Sequence, residues 1–317
     1  MQTRNAPWYK HEPIATLPAL AHALGVTLET IHDARANIAN SYRRQEQPKR
    51  DGGIRVTYSV AKRLKLVQSR ILHRLLRYVE LPDYLLGGRP GKDYLANVQW
   101  HCGAKILFGE DVASFFPSIR LHHVQAVFQQ LMRFSPTVAE CLADLCTFDN
   151  QVPQGASTSG DLANLVLWRR EPTLVAEFRS RGLRYSRFVD DIYISARAAA
   201  LPKDKTWIVG QVHRMFTLDG FRAKRKKHEI NSSGDAMRVH RVSINAGRPS
   251  IDVTERAKLR AAVHQLEAAW SGRREDSATV DLTRLRGRVA RLKRLHPAQY
   301  DRLHRRLAAL TTPPLCD

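Results

Sequence analysis

Three aspartates have the type and placement needed to bind divalent metal ions. Asp190 and Asp191 are adjacent and flanked by apolar residues, and Asp111 lies near the end of the largely apolar stretch 105–112. Two Mg²⁺ ions held by carboxylates, about 3.5–4 Å apart, stabilise the attacking and leaving oxygens in phosphoryl transfer. Adjacent acids repel each other unless a cation lies between them, so the pattern predicts a two-metal site. A polar turn is the alternative interpretation of Asp190 and Asp191.

The chain is strongly basic. Its 317 residues include 51 Lys and Arg against 30 Asp and Glu, a net charge of +21. So large an excess raises self-repulsion in a compact protein, and a polyanionic partner is its simplest explanation. Nucleic acid is the first candidate, because neutralising phosphates releases counterions. A basic surface without such a partner is the alternative.

Apolar segments and cysteines indicate the cellular compartment in which a protein works. No window of about 18 apolar residues occurs, and the N-terminus carries no apolar secretory segment. The four cysteines lack the paired spacing of zinc ligands and fit reduced thiols. We therefore expect a cytoplasmic protein without a membrane span or a zinc site. The cysteines are Cys102, Cys141, Cys146 and Cys316.

The three acids require elements that bring distant parts of the chain together. Residues 105–112 are typical of a buried strand that carries Asp111. Residues 184–189 and 192–195 are apolar-rich and predict the two arms of a hairpin with Asp190 and Asp191 at its tip. If the strand lies beside this hairpin, all three carboxylates meet at one end of a sheet.

Most of the remaining pattern is helical. Residues 14–40 predict two short helices separated at Gly25, with Thr27 as the cap of the second, and Asp51-Gly52-Gly53 predicts a hairpin with basic arms. Apolar periodicity predicts further helices over 64–79, 122–132, 141–146, 162–168, 207–216, 255–270 and 282–310, with a linker at 271–277. These elements indicate an α+β fold with a central antiparallel sheet and helices at both ends.

Three segments, in order, resemble the catalytic motifs of reverse transcriptases. Residues 111–119 (DVASFFPSI) are similar to the first motif, an Asp followed by Phe-Phe-Pro-Ser-Ile. Residues 153–164 (PQGASTSGDLAN) are similar to the second, and 188–191 (FVDD) resemble Tyr-x-Asp-Asp with Phe in place of Tyr. One segment alone would be weak support, whereas three in the family's order and approximate spacing indicate the family. The resemblance extends from about residue 42 to residue 306.

The resemblance implies roles for individual residues. Asp111, Asp190 and Asp191, with the backbone carbonyl of Val112, would hold two Mg²⁺ ions, for which Mn²⁺ could substitute. Phe116 falls on the steric-gate position, where an aromatic ring would crowd a 2′-hydroxyl and favour deoxynucleotides. The residues implied to contact the incoming triphosphate, the template or the leaving pyrophosphate are Lys49, Arg55, Gln154, Gly155 and Lys227.

Several of these residues have ordinary structural alternatives. Lys49 and Arg55 could belong to a solvated hairpin, and Phe116 could be a core residue, as we expect of Phe115. Lys227 ends a basic run, and such runs are usually solvated.

The family architecture is a right hand of fingers, palm and thumb. The resemblance implies an N-terminal helical region at 1–45, fingers at 46–103, a palm with an antiparallel sheet at 104–250 and a helical thumb at 251–317. A fingers insertion is expected near 133–165.

Compact size and two further segments resemble the retron group of the family. Residues 97–101 (NVQWH) are similar to that group's Asn-Ala-x-x-His element, which implies RNA contacts by Asn97 and His101. A local helix cap and a packed histidine are the structural alternative. The basic helical C-terminus resembles a thumb that grips structured RNA; its candidate contacts are Arg286, Arg288 and Lys293. The segment Val239-His240-Arg241 departs from the group, which carries Val-Thr-Gly there.

The sequence thus predicts an RNA-directed DNA polymerase that uses dNTPs to copy a structured non-coding RNA, its template and primer, into cDNA. An effector protein partner and an anti-phage role are implied by the resemblance alone. The alternatives are another defence-associated reverse transcriptase, an RNA-dependent RNA polymerase, or a polymerase-derived scaffold that binds RNA. Glu110 precedes Asp111, but strand alternation points it away, so we do not expect it to bind metal.

Overall fold

A computed structural model describes residues 5–49, 52–198, 202–224, 228–270 and 275–310. The chain forms two compact units, one of residues 1–97 and 106–230 and the other of residues 98–105 and 231–317. Within the described ranges, no helix is both long and apolar enough to cross a bilayer.

The N-terminal residues form a short strand and two capped helices. Strand β1 (Trp8–Tyr9) precedes α1 (Leu17–Leu24) and α2 (Leu28–Ala36). Gly25, with φ of +64°, ends α1, and the Thr27 hydroxyl accepts a hydrogen bond from the Thr30 amide at 3.1 Å. Both helices and both predicted boundary residues are confirmed, because these caps are local signals.

The predicted basic hairpin is present. Strands β2 (Tyr42–Pro48) and β3 (Ile54–Val60) pair antiparallel along their whole lengths. Helix α3 (Lys62–Arg74) follows and ends before residue 79, where the sequence placed its end. A 3₁₀ turn and strand β4 (Val79–Glu80) take its place, because β4 pairs with β1, a contact made far along the chain.

The largest sheet among the described residues has four strands, in the order β6-β7-β5-β8. Strands β5 (Ile106–Asp111), β6 (Leu183–Phe188) and β7 (Asp191–Ala196) confirm the predicted strand and hairpin. β5 and β6 both pair antiparallel with β7, and β8 (Glu229–Ser232) completes the sheet beside β5. One side of β7 is buried through Ile192 and Ile194, which explains why its register is well specified.

Helices precede and connect the strands of this sheet. The bounds are α4 (Tyr94–His101), α5 (Phe115–Ser118), α6 (Leu121–Ala126), α7 (Pro136–Cys146), α8 (Ser159–Leu165), α9 (Glu171–Ser180) and α10 (Pro202–Leu218). The predicted helix 122–132 is only partly α-helical, because a π-helical turn follows α6. Helix α7 begins earlier than the predicted 141, since Ser135 caps it and Pro136 occupies its first turn. A single hydrophobic core connects α1, α2 and α3 with the sheet.

The described part of residues 231–317 contains a hairpin and three helices, and the apolar residues of these helices form a separate core. Strands β9 (Arg238–Val239) and β10 (Val242–Ser243) precede α11 (Val253–Trp270), α12 (Glu275–Ala290) and α13 (Pro297–Ala309). The single helical stretch predicted for 282–310 is wrong, because Pro297 lacks an amide hydrogen and begins a new helix. The linker predicted at 271–277 is wrong at its end, since α12 begins at Glu275; residues 271–274 lie outside the described part.

Candidate active site

The structure brings the three aspartates together at one end of the sheet. Asp111 ends β5 and Asp191 begins β7, and the two are direct partners in the antiparallel register. Such partners have Cβ atoms about 4.5–5.5 Å apart. Asp190 lies next to them, and its carbonyl accepts a hydrogen bond from the Val112 amide at 3.2 Å. Their roles, and that of the Val112 carbonyl, as metal ligands stay predictions.

The tip that carries Asp190 is a tight connection between β6 and β7. Phe188 pairs with Asp191, so only Val189 and Asp190 form the loop. Val189 has φ of +60°, a conformation that two-residue hairpins use at their first position and usually fill with glycine. A β-branched residue in this region is uncommon, so the surrounding contacts must hold it.

The acidic cluster fits magnesium better than a soft metal. Its candidate ligands are carboxylates, and Asp111 is only 3% exposed at the strand end. Among the described residues, no three His, Cys, Asp or Glu side chains form a ready-made metal cage. Mg²⁺ does not need one, because it usually takes one or two protein carboxylates and completes its shell with water and substrate phosphates.

The chain before β8 runs along the other edge of β5. The Lys224 amide donates to the Asp111 carbonyl at 2.7 Å, and the Ala113 amide donates to the Arg222 carbonyl at 2.8 Å. These bonds fix the backbone at the end of β5, where Asp111 lies. Lys227, the predicted partner of pyrophosphate, follows three residues later and lies outside the described residues.

Glu110 points away from the acidic cluster, as strand alternation predicts. Its carboxylate is 3% exposed and accepts hydrogen bonds from His213 Nε2, at 3.2 Å, and from His228 Nδ1. His213 lies on α10 and His228 lies just before β8. Glu110 therefore connects β5 with α10 and with the segment just before β8.

The second motif, at residues 153–164, contacts the basic hairpin through the backbone. The Tyr58 amide on β3 donates to the Gln154 carbonyl at 2.8 Å. Gly155 has φ of +113°, and a Cβ at this position would lie 2.8 Å from the Tyr58 carbonyl oxygen. Glycine is therefore required by a close approach to β3. The contact of Gln154 and Gly155 with nucleotide and template stays a prediction.

The predicted triphosphate residues lie on the exposed end of the same hairpin. Lys49 and Arg55 are both exposed, and the Lys49 amide donates to the Gly53 carbonyl at 2.7 Å. Their side chains are thus available to a phosphate group.

The two phenylalanines of the first motif differ in environment. Phe115 is 3% exposed and belongs to the core, as predicted. Phe116 is only partly buried, and its ring centroid lies 6.1 Å from that of Phe115. A partly exposed ring five residues after Asp111 is compatible with the steric-gate prediction.

Asn97 and His101 are not placed for direct RNA contact. Both are fully buried in helix α4. Asn97 accepts a hydrogen bond from the Ser186 hydroxyl of β6, and Asp93, whose carboxylate accepts from the Ala96 amide at 3.1 Å, acts as the helix cap. The prediction of RNA contact is therefore wrong for this conformation. A polar residue type in a short motif does not reveal burial.

The predicted RNA contacts of the second unit divide into two kinds. Arg286 on α12 donates to the Leu307 carbonyl of α13 at 3.2 Å and is partly buried. Arg288 and Lys293 are exposed, and the Lys293 ammonium lies 5.9 Å from the ring centroid of Tyr300. Arg286 thus connects two helices, whereas Arg288 and Lys293 are open to a polyanion.

One buried ion pair next to the site is not part of any of the sequence motifs. Arg187, one residue before Phe188, and Glu171, the first residue of α9, form a fully buried ion pair. A signal was present: Arg187 lies on the same side of β6 as Leu183 and Tyr185, and all three are buried, whereas Arg184 and Phe188 on the other side are partly exposed. Its spacing placed it inside the protein, where a charge needs a partner.

Curated relatives identify the family. No protein-family model matches the chain. The retron Ec48 reverse transcriptase of Escherichia coli is 30% identical over 95% of this chain and 78% of its own length. The retron Se72 reverse transcriptase of Salmonella heidelberg (strain 579083-10) is 30% identical over 93% and 79%, and the retron Mx65 reverse transcriptase of Myxococcus xanthus is 30% identical over 94% and 71%.

Sequence identity over most of this chain and most of each relative shows both the class of the protein and its family. The protein is an RNA-directed DNA polymerase, with an α+β fold of the reverse transcriptase type. It belongs to the retron reverse transcriptases. The departure at Val239-His240-Arg241 does not exclude membership.

Proposed function

We propose that this enzyme copies a dedicated, structured non-coding RNA into DNA by two-metal phosphoryl transfer. The observation that carries the proposal is the register of the sheet, which pairs Asp111 with Asp191 and bonds Asp190 to the next residue of β5. Three carboxylates converge from parts of the chain about eighty residues apart. A protein that only bound RNA would gain nothing from acids placed beside a polyphosphate.

Each part of the cluster has a task in this mechanism. Asp111 and Asp190 would hold two Mg²⁺ ions, with Asp191 and the Val112 carbonyl in support; Mn²⁺ could substitute. When bound, the ions stabilise the attacking primer oxygen and the leaving pyrophosphate oxygen. Asp111 is fixed by the Lys224 amide on one side and by the pairing with β7 on the other.

The surrounding residues would select and hold the nucleotide. Lys49 and Arg55 are exposed cations that can bind the triphosphate of a dNTP. Phe116 would crowd a 2′-hydroxyl, and Gln154 with Gly155 would align the template. Lys227 would stabilise the leaving pyrophosphate.

The basic second unit supports an RNA partner. Arg288 and Lys293 are exposed on its helical part and can neutralise phosphates. We assign residues 46–103 to fingers, 104–250 to the palm and 251–317 to the thumb, after an N-terminal region at 1–45. The RNA would act as template and primer, start synthesis from a 2′-hydroxyl, and remain joined to the cDNA. In the cytoplasm this product, with an effector protein, would serve anti-phage defence.

Primer extension tests the proposal. Wild-type protein with its copurifying RNA, dNTPs and Mg²⁺ is expected to make DNA, and Asp190→Asn is expected to reduce synthesis by at least about a thousandfold, since one metal loses a ligand. Asp301→Asn, an exposed aspartate of α13, is the matched control and should be active. Equal synthesis by Asp190→Asn would refute the site assignment. Sequencing the product decides whether RNA and DNA are covalently joined.

A further inference from the structure

A fully buried arginine lies directly behind the catalytic hairpin. Arg187 has no exposed surface, and Glu171 is 1% exposed. The guanidinium donates to both oxygens of this carboxylate, from Nε at 2.6 Å and from Nη2 at 2.9 Å. Burial by itself lowers the pKa of Arg187, but the Glu171 carboxylate, together with Tyr185 and Tyr84, raises this pKa by more, so the guanidinium stays charged.

The remaining donors of Arg187 reach three backbone carbonyls. Nη1 donates to Ala163 at 3.0 Å and to Val189 at 3.1 Å, and Nη2 donates to Asn164 at 2.8 Å. With the two bonds to Glu171, these contacts use all five N–H groups of a guanidinium. Ala163 and Asn164 lie in the last turn of α8, where carbonyls have no partner within the helix. Arg187 therefore connects α8, α9 and the hairpin tip.

Val189 needs this support because its backbone is unfavourable. Its φ is +60°, in a region that β-branched residues rarely adopt unless neighbouring contacts impose it. Gly87 packs against it, since a Cβ on Gly87 would lie 2.6 Å from the Val189 nitrogen. The side-chain amide of Asn164 in turn holds Gly87, because its Nδ2 donates to the Gly87 carbonyl at 2.8 Å. Contacts to Arg187 and Gly87 thus restrain Val189.

A buried ion pair is a poor source of stability, because desolvation offsets most of the attraction between the charges. Its better attested use is to fix a geometry, and here the geometry is that of the residue before Asp190. We propose that Arg187 is a positioning residue for DNA synthesis. Held by Glu171, it keeps Val189 in its left-handed conformation, so that Asp190 and Asp191 face Asp111. The inference rests on the proposed function, because Arg187 acts through the carboxylates of that site.

Arg187→Lys is the conservative test. Lysine keeps the positive charge opposite Glu171 but has three donors on one atom, so it cannot hold both oxygens and three carbonyls. We expect kcat to fall about tenfold or more, as small displacements of catalytic groups do, and half-maximal synthesis to require severalfold more Mg²⁺. Independently of activity, hydrogen exchange should become faster for the amides of residues 188–192.

Gln68→Met is the matched control. Gln68 is also fully buried and polar, but its amide donates to the Tyr42 hydroxyl and, at 2.9 Å, to the Leu145 carbonyl. This variant should lower the urea midpoint of unfolding and leave kcat, the Mg²⁺ requirement and exchange at 188–192 unchanged. If Gln68→Met shifts the Mg²⁺ requirement as much as Arg187→Lys does, the role of Arg187 is only structural and the proposal is overturned.

A rescue experiment tests the route through Val189. Glycine adopts φ of +60° without help, so Arg187→Lys should cost less kcat in a Val189→Gly background than in the wild type. An equal loss in both backgrounds overturns the proposal. If Arg187→Lys does not fold, the comparison uses Arg187→Met with Glu171→Gln, which removes both charges and keeps an acceptor for the Tyr185 hydroxyl.

Asp190→Asn distinguishes a failure of the proposed metal site from a failure of the role proposed for Arg187. If it is fully active, the metal site itself is refuted. If it is inactive while Arg187→Lys matches the wild type in kcat, Mg²⁺ requirement and exchange, the site stands and only the role of Arg187 is refuted.

Discussion

At the scale of single residues, His123 is held in its neutral form from both sides. The Arg120 amide donates to His123 Nδ1 at 2.9 Å, so Nε2 carries the hydrogen and donates to the Asp219 carbonyl at 2.9 Å. The ring stacks on Phe221 with centroids 5.0 Å apart. Burial, assisted by His122, lowers the pKa of His123 to about 4. A proton on Nδ1 would also face the Arg120 N–H group.

This pKa predicts a loss of stability in mild acid. The ordinary pKa of histidine is about 6.5. Between that pH and about 4, His123 is therefore protonated in the unfolded chain but neutral in the folded chain. The free energy of unfolding should therefore fall as pH falls through this window. Because the ring is partly exposed, we expect His123 to account for about 1 kcal/mol of the decrease in the free energy of unfolding between pH 7 and pH 5.

Urea denaturation at pH 7 and pH 5 measures the effect. His123→Gln should lose less stability between the two pH values than the wild type. His122→Gln, at the exposed neighbouring position, should keep most of the wild-type pH dependence, because burial, the main cause of the lowered pKa of His123, is unchanged. An identical pH dependence for His123→Gln and the wild type would contradict the assignment.

At the scale of elements, the segment that departs from the retron pattern is a hairpin turn. His240 and Arg241 connect β9 and β10 as a two-residue loop, with φ of +49° and +64°. Positive φ at both positions belongs to a type I′ turn, which favours Asn-Gly. The glycine that retron enzymes carry at the end of Val-Thr-Gly corresponds to Arg241. This chain forms the turn with two side-chain-bearing residues, which strain it.

Arg241→Gly should stabilise the second unit. A left-handed conformation costs a non-glycine residue roughly 1–2 kcal/mol, and the extra entropy of glycine in the unfolded chain returns part of this, so we expect a net gain of about 0.5–1 kcal/mol. Arg248→Gly, at an exposed position without positive φ, is the control and should be neutral or destabilising. Urea midpoints measure both, and a loss of stability in Arg241→Gly would show that the arginine side chain outweighs the strain.

At the scale of the whole molecule, the net charge of +21 predicts binding to RNA that depends strongly on salt. Each phosphate contact contributes about −0.7 to −0.9 to the slope of log K against log salt. Arg288→Gln should reduce the magnitude of this slope by roughly one, because the side chain is exposed. Arg63→Gln removes the same charge, but Arg63 is paired with Asp33 and the slope should change little. Titrations of the RNA between 50 and 200 mM salt test this, and equal slopes for both variants would exclude Arg288 from the interface.

The sequence by itself determined the class of the protein and the composition of its acidic cluster. Asp111 closes a strand, Asp190 and Asp191 follow an apolar arm, and caps such as Thr27 mark helix starts; these signals lie within a few residues of each other. Local physics decides them, because alternation and capping act over one or two turns of chain. The order of the three motifs then sufficed to indicate a reverse transcriptase, which the relatives confirm.

Tertiary structure alone decided which partners the buried polar residues bind. Asn97 meets Ser186 across 89 positions of chain, and Glu110 meets His228 across 118. Three of the five bonds of Arg187 bring carbonyls of α8 and the hairpin tip onto one guanidinium, and the other two bind Glu171. A short motif names a residue type but not its surroundings. Burial and hydrogen bonding depend on contacts between distant segments, and these exist only once the chain has folded.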